Sequence, residues 1–350
     1  MRPTVLVMGA GGGGGNNWIR SLRKSGVAAS IIGSNCKPHS VAKSDADRSL
    51  LLPPCDSMGY APAVRQAIAT YGVDVVAPCS DAEVAAIARL APTLAARTYL
   101  PTPDEIGDCQ DKGRFAHLMR EAGIPVARSI NLADCGDLAA CLSCIEAEGR
   151  YWLRPRSGSG SKGAGWFDTA EQGKSFLTLW EQLRGASRLD YQVCEYLPGR
   201  DYAIQTLWYR GELVVAKMVE RLAYYGAAGR LSGMSSTPEV AVTVRDNEAM
   251  DTALDTVRAV SDSPHGVFSL DMKARASGEM CVTEVNVGRC CMITPIFDET
   301  GALNTVGAYV RCAMDTPPRL NHPIDIEEGW ALIRDLDTEP TIVHESEIPS

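Results

Sequence analysis

The sequence predicts a mixed α/β fold, and three segments support this prediction. An apolar run over Thr4–Gly9 leads through five consecutive glycines, Gly11–Gly15, into a helical stretch and then a second apolar run, Ala28–Gly33. This strand–glycine–helix–strand order is typical of a Rossmann-like half. Far downstream, Asp271–Arg289 contains two strand-like runs joined by a short turn, which predicts a hairpin. We therefore expect an α/β protein with a Rossmann-like N-terminal domain and an α+β core.

Further elements follow along the chain. Val73–Pro78 predicts another strand, and Asp81 then fits the N-cap of a helix that carries Glu83 near its start. Two more helices are predicted, over Asp108 to about Ala122 and over Glu248–Ser261. We expect none of these segments to belong to an internal repeat.

The predicted organisation is an N-terminal domain, a core and a short extension. The boundaries are 1–107 for the N-terminal domain, 108–315 for the core with a mobile lid at about 126–190, and 316–350 for the extension. The extension is rich in proline and acidic residues, and Trp330 and Ile333 are its predicted anchors.

Composition narrows the class of protein. The 350 residues suffice for two or three domains, 45% of them are hydrophobic, and the mean hydropathy is −0.08. No apolar run approaches the ~20 residues that span a bilayer, and the first strand lacks the pattern of a signal peptide. The net charge of −9 argues against a nucleic-acid surface. We expect a cytoplasmic protein that binds neither membranes nor nucleic acids.

Twelve cysteines are scattered through the chain, mostly in apolar contexts. A zinc site needs a second C-x-x-C, but only Cys141 and Cys144 form one. Most of the cysteines are therefore expected to be small buried apolar residues. Cys290 and Cys291 are exceptions because they directly follow the predicted hairpin.

That hairpin gathers a charged set of side chains. Glu284 and Asn286 lie two residues apart, so they point to one face of a strand, and Asp271 on the paired strand can join them. Two carboxylates and an amide oxygen suit Mg²⁺ that bridges phosphates, and Arg289 adds a positive charge. The alternative is a hairpin tip that carries charge only for solubility.

A second set surrounds a small-residue loop. A hydrophobic strand ends in Arg154 and Arg156, residues 157–161 are Ser and Gly, and Lys162 follows. Glycine lets backbone N–H groups close on phosphate oxygens, and the basic residues supply charge to the same anion. The spacing is not that of a P-loop. A flexible linker is the alternative.

A third set lies in Tyr191–Tyr202, where a strand runs into Glu195-Tyr196-Leu197 and turns at Pro198-Gly199. Such a hinge can offer backbone donors and acceptors to an adenine edge. Asp201, just beyond, can bind ribose hydroxyls. Taken alone this evidence is weak, because any strand–turn–strand looks similar.

In this order the three segments resemble the ATP-grasp superfamily, and within it the carbamoyl-phosphate-synthase-like carboxylate–amine ligases. Asp111-Lys112 before a helix and a later G-I-P-V also match, and Arg221–Thr237 resembles the substrate-side flap of that family. The resemblance covers roughly residues 1–312. It implies an ATP-grasp fold preceded by a Rossmann-like domain that does not bind ATP. It differs at Arg154, where lysine is usual, and after Arg289, where C-C-M replaces small residues.

The resemblance also implies roles for individual residues. The ATP phosphates would be held by Lys112, Arg154, Arg156, Ser159, Gly160 and Lys162. The adenine hinge would be Glu195, Tyr196 and Leu197, and Asp201 would bind the ribose. Asp271, Glu284 and Asn286 would hold Mg²⁺, or Mn²⁺ in its place. Arg289, Lys162 and Arg154 would act in catalysis. Substrate contacts are assigned to Arg221, Arg230, Ser235, Asp81 and Glu83, although exposed loop positions are the alternative for the flap arginines.

The implied reaction is amide or peptide bond formation through an acyl phosphate, with Mg-ATP as cofactor. The substrates would be a small carboxylate and an amine, with amino acids among the candidates. The predicted assembly is a possible homodimer. Two alternatives stay open: an ATP-binding regulatory protein that has lost catalysis, and a synthase that carboxylates with bicarbonate. The N-terminal glycines also suggest a dinucleotide site. Against it, the strand that ends near Gly33 is followed by G-S-N-C, without the expected acidic residue.

Overall fold

The N-terminal part of the computed structural model is a parallel sheet with helices. The structure describes residues 2–145, 149–158, 162–235, 237–335, 341–344 and 346. The sheet has the order β3-β2-β1-β4-β5. Its strands are β1 (Thr4–Met8), β2 (Ser30–Asn35), β3 (Arg48–Leu51), β4 (Val75–Ala77) and β5 (Arg97–Thr98), and its helices are α1 (Gly13–Ser25), α2 (Pro38–Ala42), α3 (Tyr60–Tyr71) and α4 (Asp81–Leu90). The Rossmann-like half is thus confirmed.

The glycine run before α1 is explained by close packing. A side chain on Gly11, at φ +76°, would place its Cβ 1.7 Å from the carbonyl oxygen of Ser40, and one on Gly15 would lie 2.2 Å from the carbonyl oxygen of Gly9. The face of the turn is covered by Met292, whose Cε lies 2.9 Å from where a Cβ of Gly13 would be. The glycines therefore let α1 pack closely on the sheet.

Two helices replace the single one predicted from Asp108 to Ala122. They are α5 (Pro103–Gln110) and α6 (Lys112–Glu121), and Asp111 between them has extended backbone. The Asp111 carboxylate accepts hydrogen bonds from the N–H groups of Gly113 and Arg114, which makes it the N-cap of α6. The prediction of one continuous helix was wrong, whereas the expectation that Asp111-Lys112 stands before a helix is confirmed. The break places Lys112 at the first position of α6.

The segment predicted to be a lid, with the strand that follows it, forms a separate four-stranded antiparallel sheet with its own apolar core. Its strands are β6 (Ser129–Asn131), β7 (Tyr151–Pro155), β8 (Gly165–Phe167) and β9 (Tyr191–Glu195), in the order β6-β9-β7-β8. Three helices accompany them, α7 (Leu132–Cys135), α8 (Leu138–Cys144) and α9 (Ala170–Arg184). Leu153, Phe176 and Val193 lie in the lid core.

The core is a seven-stranded antiparallel sheet in the order β14-β13-β10-β11-β12-β15-β16. Its elements are β10 (Asp201–Tyr209), β11 (Glu212–Tyr224), β12 (Pro238–Thr243), α10 (Asn247–Val260), β13 (Gly266–Ala274), β14 (Met280–Val287), α11 (Thr294–Glu299), α12 (Thr305–Ala313), β15 (Trp330–Ile333) and β16 (Thr341–His344). β13 and β14 form the predicted hairpin. α12 and α1 pack in one apolar cluster that joins the N-terminal part to the core.

The extension adds β15 and β16 to the edge of this sheet. In β15, Ala331 and Leu332 are buried, whereas Trp330 is half-buried and Ile333 is exposed. Trp330 packs against the apolar cluster that contains Leu332, as expected of an anchor, whereas Ile333 is exposed and was wrongly expected to be one.

All twelve cysteines are free thiols, but only five are fully buried, which is fewer than expected. No helix in the described part of the chain is both long and apolar enough to cross a membrane.

Candidate functional site

A cavity of about 540 Å³ lies where the N-terminal part, the lid and the core meet. Each part contributes side chains to its wall. They include Cys79, Ser80 and Asp81 of the N-terminal part, Lys112 of α6, Trp152, Arg154, Lys162, Trp166, Glu195, Tyr196 and Leu197 of the lid, and Asp201, Arg221, Lys273, Asp271, Glu284, Asn286, Arg289 and Met292 of the core.

The hairpin brings Asp271, Glu284 and Asn286 together. Asp271 on β13 is opposite Glu284 on β14, and the Asn286 Nδ2 donates to Asp271 Oδ2 at 3.0 Å. Burial and the neighbouring Glu284 raise the pKa of Asp271, although Arg221 opposes the shift. Burial also acts to raise the pKa of Glu284, but Lys112 and Arg154 outweigh it and lower that pKa. The pair therefore shares its negative charge unevenly, with Glu284 the more acidic partner.

Two cations border this pair. The Nζ of Lys112 lies 3.2 Å from Glu284 Oε2. It also donates, at 2.8 Å, to the carbonyl oxygen of Gly158, which belongs to the Ser/Gly loop 157–161 after β7, called the lid loop below. Arg154 donates to the carbonyl oxygen of Thr283 at 3.0 Å, beside Glu284. Lys112 and Arg154, which are among the residues predicted to hold phosphate, thus lie next to the predicted metal ligands.

The remaining loop residues differ in placement. Lys162 is exposed and lines the cavity. Arg156 pairs with Asp111 at 2.8 Å and does not line the cavity, so the structure gives no support to its predicted contact with ATP. Ser159 and Gly160 lie outside the described residues.

The Glu195 side chain is occupied by structural contacts. It pairs with Arg275 at 2.7 Å and accepts from the backbone N–H of Arg128 at 2.9 Å. Burial acts to raise the pKa of Glu195, but these hydrogen bonds lower it. Leu197 lines the cavity, and its backbone N–H has no hydrogen-bond partner within the described residues. Any hinge contact to a base would therefore be made by the backbone here, beside Tyr196.

Arg221 lies on β11 and not on the predicted flap. Its Nε donates to Asp201 Oδ1 at 2.7 Å, and its Nη1 donates to Asp271 Oδ1 at 2.6 Å. The Tyr224 hydroxyl also donates to Asp201, at 2.8 Å. Arg221 therefore joins the predicted ribose carboxylate to a predicted metal ligand. The sequence indicated this placement, because β11 continues its strand pattern to Tyr224.

Arg289 lies at the N-terminal side of the cavity. Its Nε donates to Asp81 Oδ1 at 2.5 Å, and its Nη2 donates to Asn286 Oδ1 at 2.6 Å. Asp81 is the first residue of α4, and Ser80 is the N-cap, which corrects the predicted cap. Asp81 was not recognised as a partner of Arg289 because 208 residues separate them.

Other predicted substrate residues are placed unequally. Glu83 does not line the cavity. Its carboxylate accepts from the Ser80 hydroxyl at 2.9 Å and lies close to Gly9. Burial raises the pKa of Glu83. In the flap, Ser235 lines the cavity and exchanges hydrogen bonds with the backbone of Thr237. Arg230 is exposed and does not line the cavity.

Sequence reasoning missed Lys273, which also lines the cavity. Its Nζ lies 3.5 Å from Asp201 Oδ2. The available signal was the strand period, because Lys273 is two residues beyond Asp271 and therefore on the same face of β13.

The donor set fits a hard divalent cation. In the part of the chain that the structure describes, no group of three or more His, Cys, Asp or Glu residues is placed to hold a metal by itself. Two carboxylates and one amide oxygen suit Mg²⁺, which keeps waters and shares phosphate oxygens instead of filling a protein cage. The basic side chains around these oxygens suit the phosphates that would complete such a site.

Comparison with known proteins addresses the fold. No model of a known protein family matches the chain, and no curated protein matches it significantly by sequence. Solved structures do match. Biotin carboxylase from Campylobacter jejuni, in a complex with β,γ-ATP, has a TM-score of 0.71 at 14% identity, over 94% of this chain and 74% of that chain.

Two further structures are similar to the same extent. L-amino acid ligase from Bacillus licheniformis has a TM-score of 0.69 at 13% identity, over 94% of this chain and 78% of that chain. N5-carboxyaminoimidazole synthetase from Staphylococcus aureus, complexed with ADP, has a TM-score of 0.71 at 15% identity, over 95% and 82%. Such low identity establishes the fold alone. The fold predicted from the motifs is confirmed: this chain has the ATP-grasp fold.

Proposed function

We propose that this protein is an ATP-dependent carboxylate–amine ligase, which forms an amide or peptide bond through an acyl phosphate. The observation that supports it best is the continuous line of contacts from Lys112 through Glu284, Asp271 and Asn286 to Arg289 along one cavity. This line joins Lys112, beside the lid loop, to Arg289, at the N-terminal side of the cavity. It provides places for a phosphate chain, a metal and an acyl group in sequence.

The nucleotide would bind between the lid and the core. The unpaired N–H of Leu197 would donate to the adenine edge, and Asp201 would accept from ribose hydroxyls. Lys112, Arg154 and Lys162 would hold the phosphates, and the lid loop would exclude water that would otherwise hydrolyse the acyl phosphate. Asp201 would turn partly from Arg221 to do so, because both of its oxygens now have partners.

Mg²⁺ or Mn²⁺, held by Asp271, Glu284 and Asn286, would neutralise charge on the β- and γ-phosphates when bound. Charged residues next to these ligands support such a site. Lys112 and Arg221 compensate the two carboxylates, which would otherwise repel each other in a buried site. Their hydrogen bonds hold the oxygens of both side chains towards the cavity.

The reaction would need no protein nucleophile. A substrate carboxylate would attack the γ-phosphate and release ADP. The amine would then attack the acyl carbon, release phosphate and lose a proton to solvent. Arg289 would stabilise the charge that shifts during both transfers, and Asp81 and Asn286 would fix its guanidinium plane. Catalysis would rest on positioning and electrostatics.

The identity of the acid separates this proposal from a second candidate. Two of the similar structures are named for carboxylation, as biotin carboxylase and carboxyaminoimidazole synthetase, and one for joining amino acids. Bicarbonate in place of an organic acid is therefore the second candidate. Either way the substrates are proposed to be small molecules, in a monomer or a homodimer.

The test is a phosphate-release screen with Mg-ATP. Amino acids, small organic acids and bicarbonate are offered singly and with amines, and products are identified by mass spectrometry. We expect release that requires an acid and an amine together and yields an amide. Release with bicarbonate and an amine alone would favour carboxylation. Nucleotide binding without release in any combination would contradict catalysis and favour a regulatory protein.

A further inference from the structure

The polar floor of the cavity ends one strand beyond the predicted metal ligands. Glu284 lies on β14 and Asp271 on β13, and β10 is the next strand in the sheet. Ala203 on β10 is paired directly with Asp271, so both side chains lie on one face of the sheet, and Ala203 lines the cavity. Neighbouring strands are about 5 Å apart. The lining therefore becomes apolar within one strand spacing of the place where the acyl group would form.

Four more residues continue this apolar lining, one from the start of β12 and three that follow β14. Ala203 and Ile293 lie in one buried apolar cluster, and Cys291 packs against it. The lining is thus the part of that cluster that reaches the cavity, together with its neighbours. The residues of this surface, called the apolar wall below, are Ala203, Pro238, Cys291, Met292 and Ile293.

Met292 is held by its backbone, whereas its side chain fills space left by glycines. The Arg334 guanidinium, which does not line the cavity, donates to the carbonyl oxygens of Met292 at 2.8 Å and Pro238 at 3.3 Å, so these two backbones lie side by side. The Met292 Cε lies 2.9 Å from where a Cβ of Gly13 would be, and its Sδ lies 3.4 Å from that of Gly14. An unbranched thioether adapts its shape readily. Met292 is therefore the adaptable member of the wall.

The apolar wall offers no charge to a ligand. Burial raises the pKa of Cys291 to about 12, so its thiol is neutral at neutral pH. The cavity arginines of the core are already paired, Arg221 with two carboxylates and Arg289 with Asp81. A charged group against this wall would lose its hydration without gaining a partner, whereas an aliphatic group would bury apolar surface.

We propose that the apolar wall binds an aliphatic chain of the substrate that reacts beside Asp271, and so selects for it. This inference rests on the proposed function and narrows its substrate class to an acid or an amine with such a chain. If the acid is bicarbonate, the amine carries the chain. Each methylene that leaves water on binding strengthens it by roughly threefold to fourfold.

A purely structural wall makes a different prediction. Substitution of a residue that only packs the cluster would change stability without changing which ligands bind. Met292→Gln keeps the length of the side chain and adds a polar amide to the wall. Met58→Gln is the matched control, because Met58 is almost fully exposed and does not line the cavity.

The experiment compares ligands that differ mainly by a charged group at the end of the chain. The pairs are norleucine with lysine, hexanoate with adipate, and hexylamine with hexamethylenediamine. Wild type and both variants are saturated with Mg²⁺ and a non-hydrolysable ATP analogue, and binding is measured by calorimetric titration at constant ionic strength. In at least one pair we expect the aliphatic member to bind wild type and Met58→Gln tenfold or more tightly than its charged partner. Met292→Gln should reduce this preference at least threefold.

The inference is overturned if no aliphatic member binds the wild type, if the charged partners bind equally well, or if Met292→Gln keeps the full preference. If Met292→Gln fails to fold, Ala203→Val decides, because the added methyl groups would narrow the wall and should weaken binding of the aliphatic member severalfold. Failure of the proposed function appears separately, as absence of binding by the ATP analogue itself. In that case the same pairs are compared without nucleotide.

Discussion

The chain has two glycine-rich turns, and their surroundings differ. In the N-terminal turn, Cβ atoms on Gly11 and Gly15 would collide with backbone at 1.7 and 2.2 Å. In the lid loop, Gly158 has φ +97°, and no heavy atom of the described residues lies within 4 Å of where its Cβ would be. Its carbonyl oxygen accepts from Lys112. The first turn uses glycine to pack against protein. The second lies beside Lys112, which also pairs with Glu284.

Glycine content alone therefore does not identify a ligand loop. Open space does not identify one either, because Gly26 and Gly72, at helix C-caps, also lack close neighbours for a Cβ among the described residues. Gly158 differs from them because the Lys112 side chain donates to its carbonyl oxygen. Four substitutions test this difference.

The largest effect is expected at Glu284, which faces the lid loop through Lys112. Glu284→Ala should abolish phosphate release while the fold persists, because a metal would lose one of its three protein oxygens. We expect a fall of a hundredfold or more, about 2.7 kcal/mol in barrier. Glu212→Ala, at an exposed position that begins β11, is the control. Activity of Glu284→Ala within about threefold of wild type would refute the metal assignment.

Gly11→Ala tests the packed turn. The new methyl group would meet the Ser40 carbonyl at a positive φ, so we expect a loss of roughly 2–5 kcal/mol in the free energy of unfolding. Urea unfolding measures it. The folded fraction should still bind the ATP analogue with normal affinity. A stable variant that loses nucleotide binding would show that this turn, and not the lid loop, contacts the nucleotide.

Arg289→Lys tests the contact of Arg289, in the core, with Asp81 of the N-terminal part. Lysine keeps the charge but cannot contact Asp81 and Asn286 together, so we expect normal ATP binding and about a hundredfold lower kcat, ~2.7 kcal/mol. The measurement is kcat across a magnesium titration. Because Arg289 donates to Asn286, it could instead serve only to shape the metal site. Full recovery of the rate at high magnesium would support that role and exclude the one proposed.

Gly158→Ala should have the smallest effect on stability. Its Cβ would meet no atom of the described residues, so the expected cost is that of a positive φ, about 1–2 kcal/mol. ATP-analogue affinity, measured by calorimetric titration, should nevertheless fall more than in Gly11→Ala. If Gly11→Ala weakened binding of the ATP analogue more than Gly158→Ala, the proposed difference between a packing turn and a ligand-binding loop would be refuted.

Sequence patterns were sufficient to predict the β13–β14 hairpin and the placement of its polar side chains. Strand alternation placed Glu284 and Asn286 on one face, and the short turn brought Asp271 opposite them. The N-terminal parallel sheet was equally predictable, since strand and helix periods alternate there. These features depend on residues that are close in sequence.

The misassignments share a different cause. Asp111 broke a helix because its side chain caps the next one, a choice that depends on local hydrogen bonds and not on periodicity. Arg221 was placed on a flap because the end of β11 was set too early. The contact of Arg289 with Asp81, which was not predicted, spans 208 residues. Such pairs are fixed only by the packing of three sheets, and one sequence does not reveal them.

Hydrogen exchange with and without Mg²⁺ and the ATP analogue tests the central claim, that the cavity between lid and core binds the nucleotide. We predict slower exchange on ligand binding in peptides that span β7 and β8 and in the β13–β14 hairpin. Peptides that cover Gly9–Gly15 should not change, because that turn is already closed by protein contacts. Protection of the N-terminal turn without protection of the lid would contradict the claim.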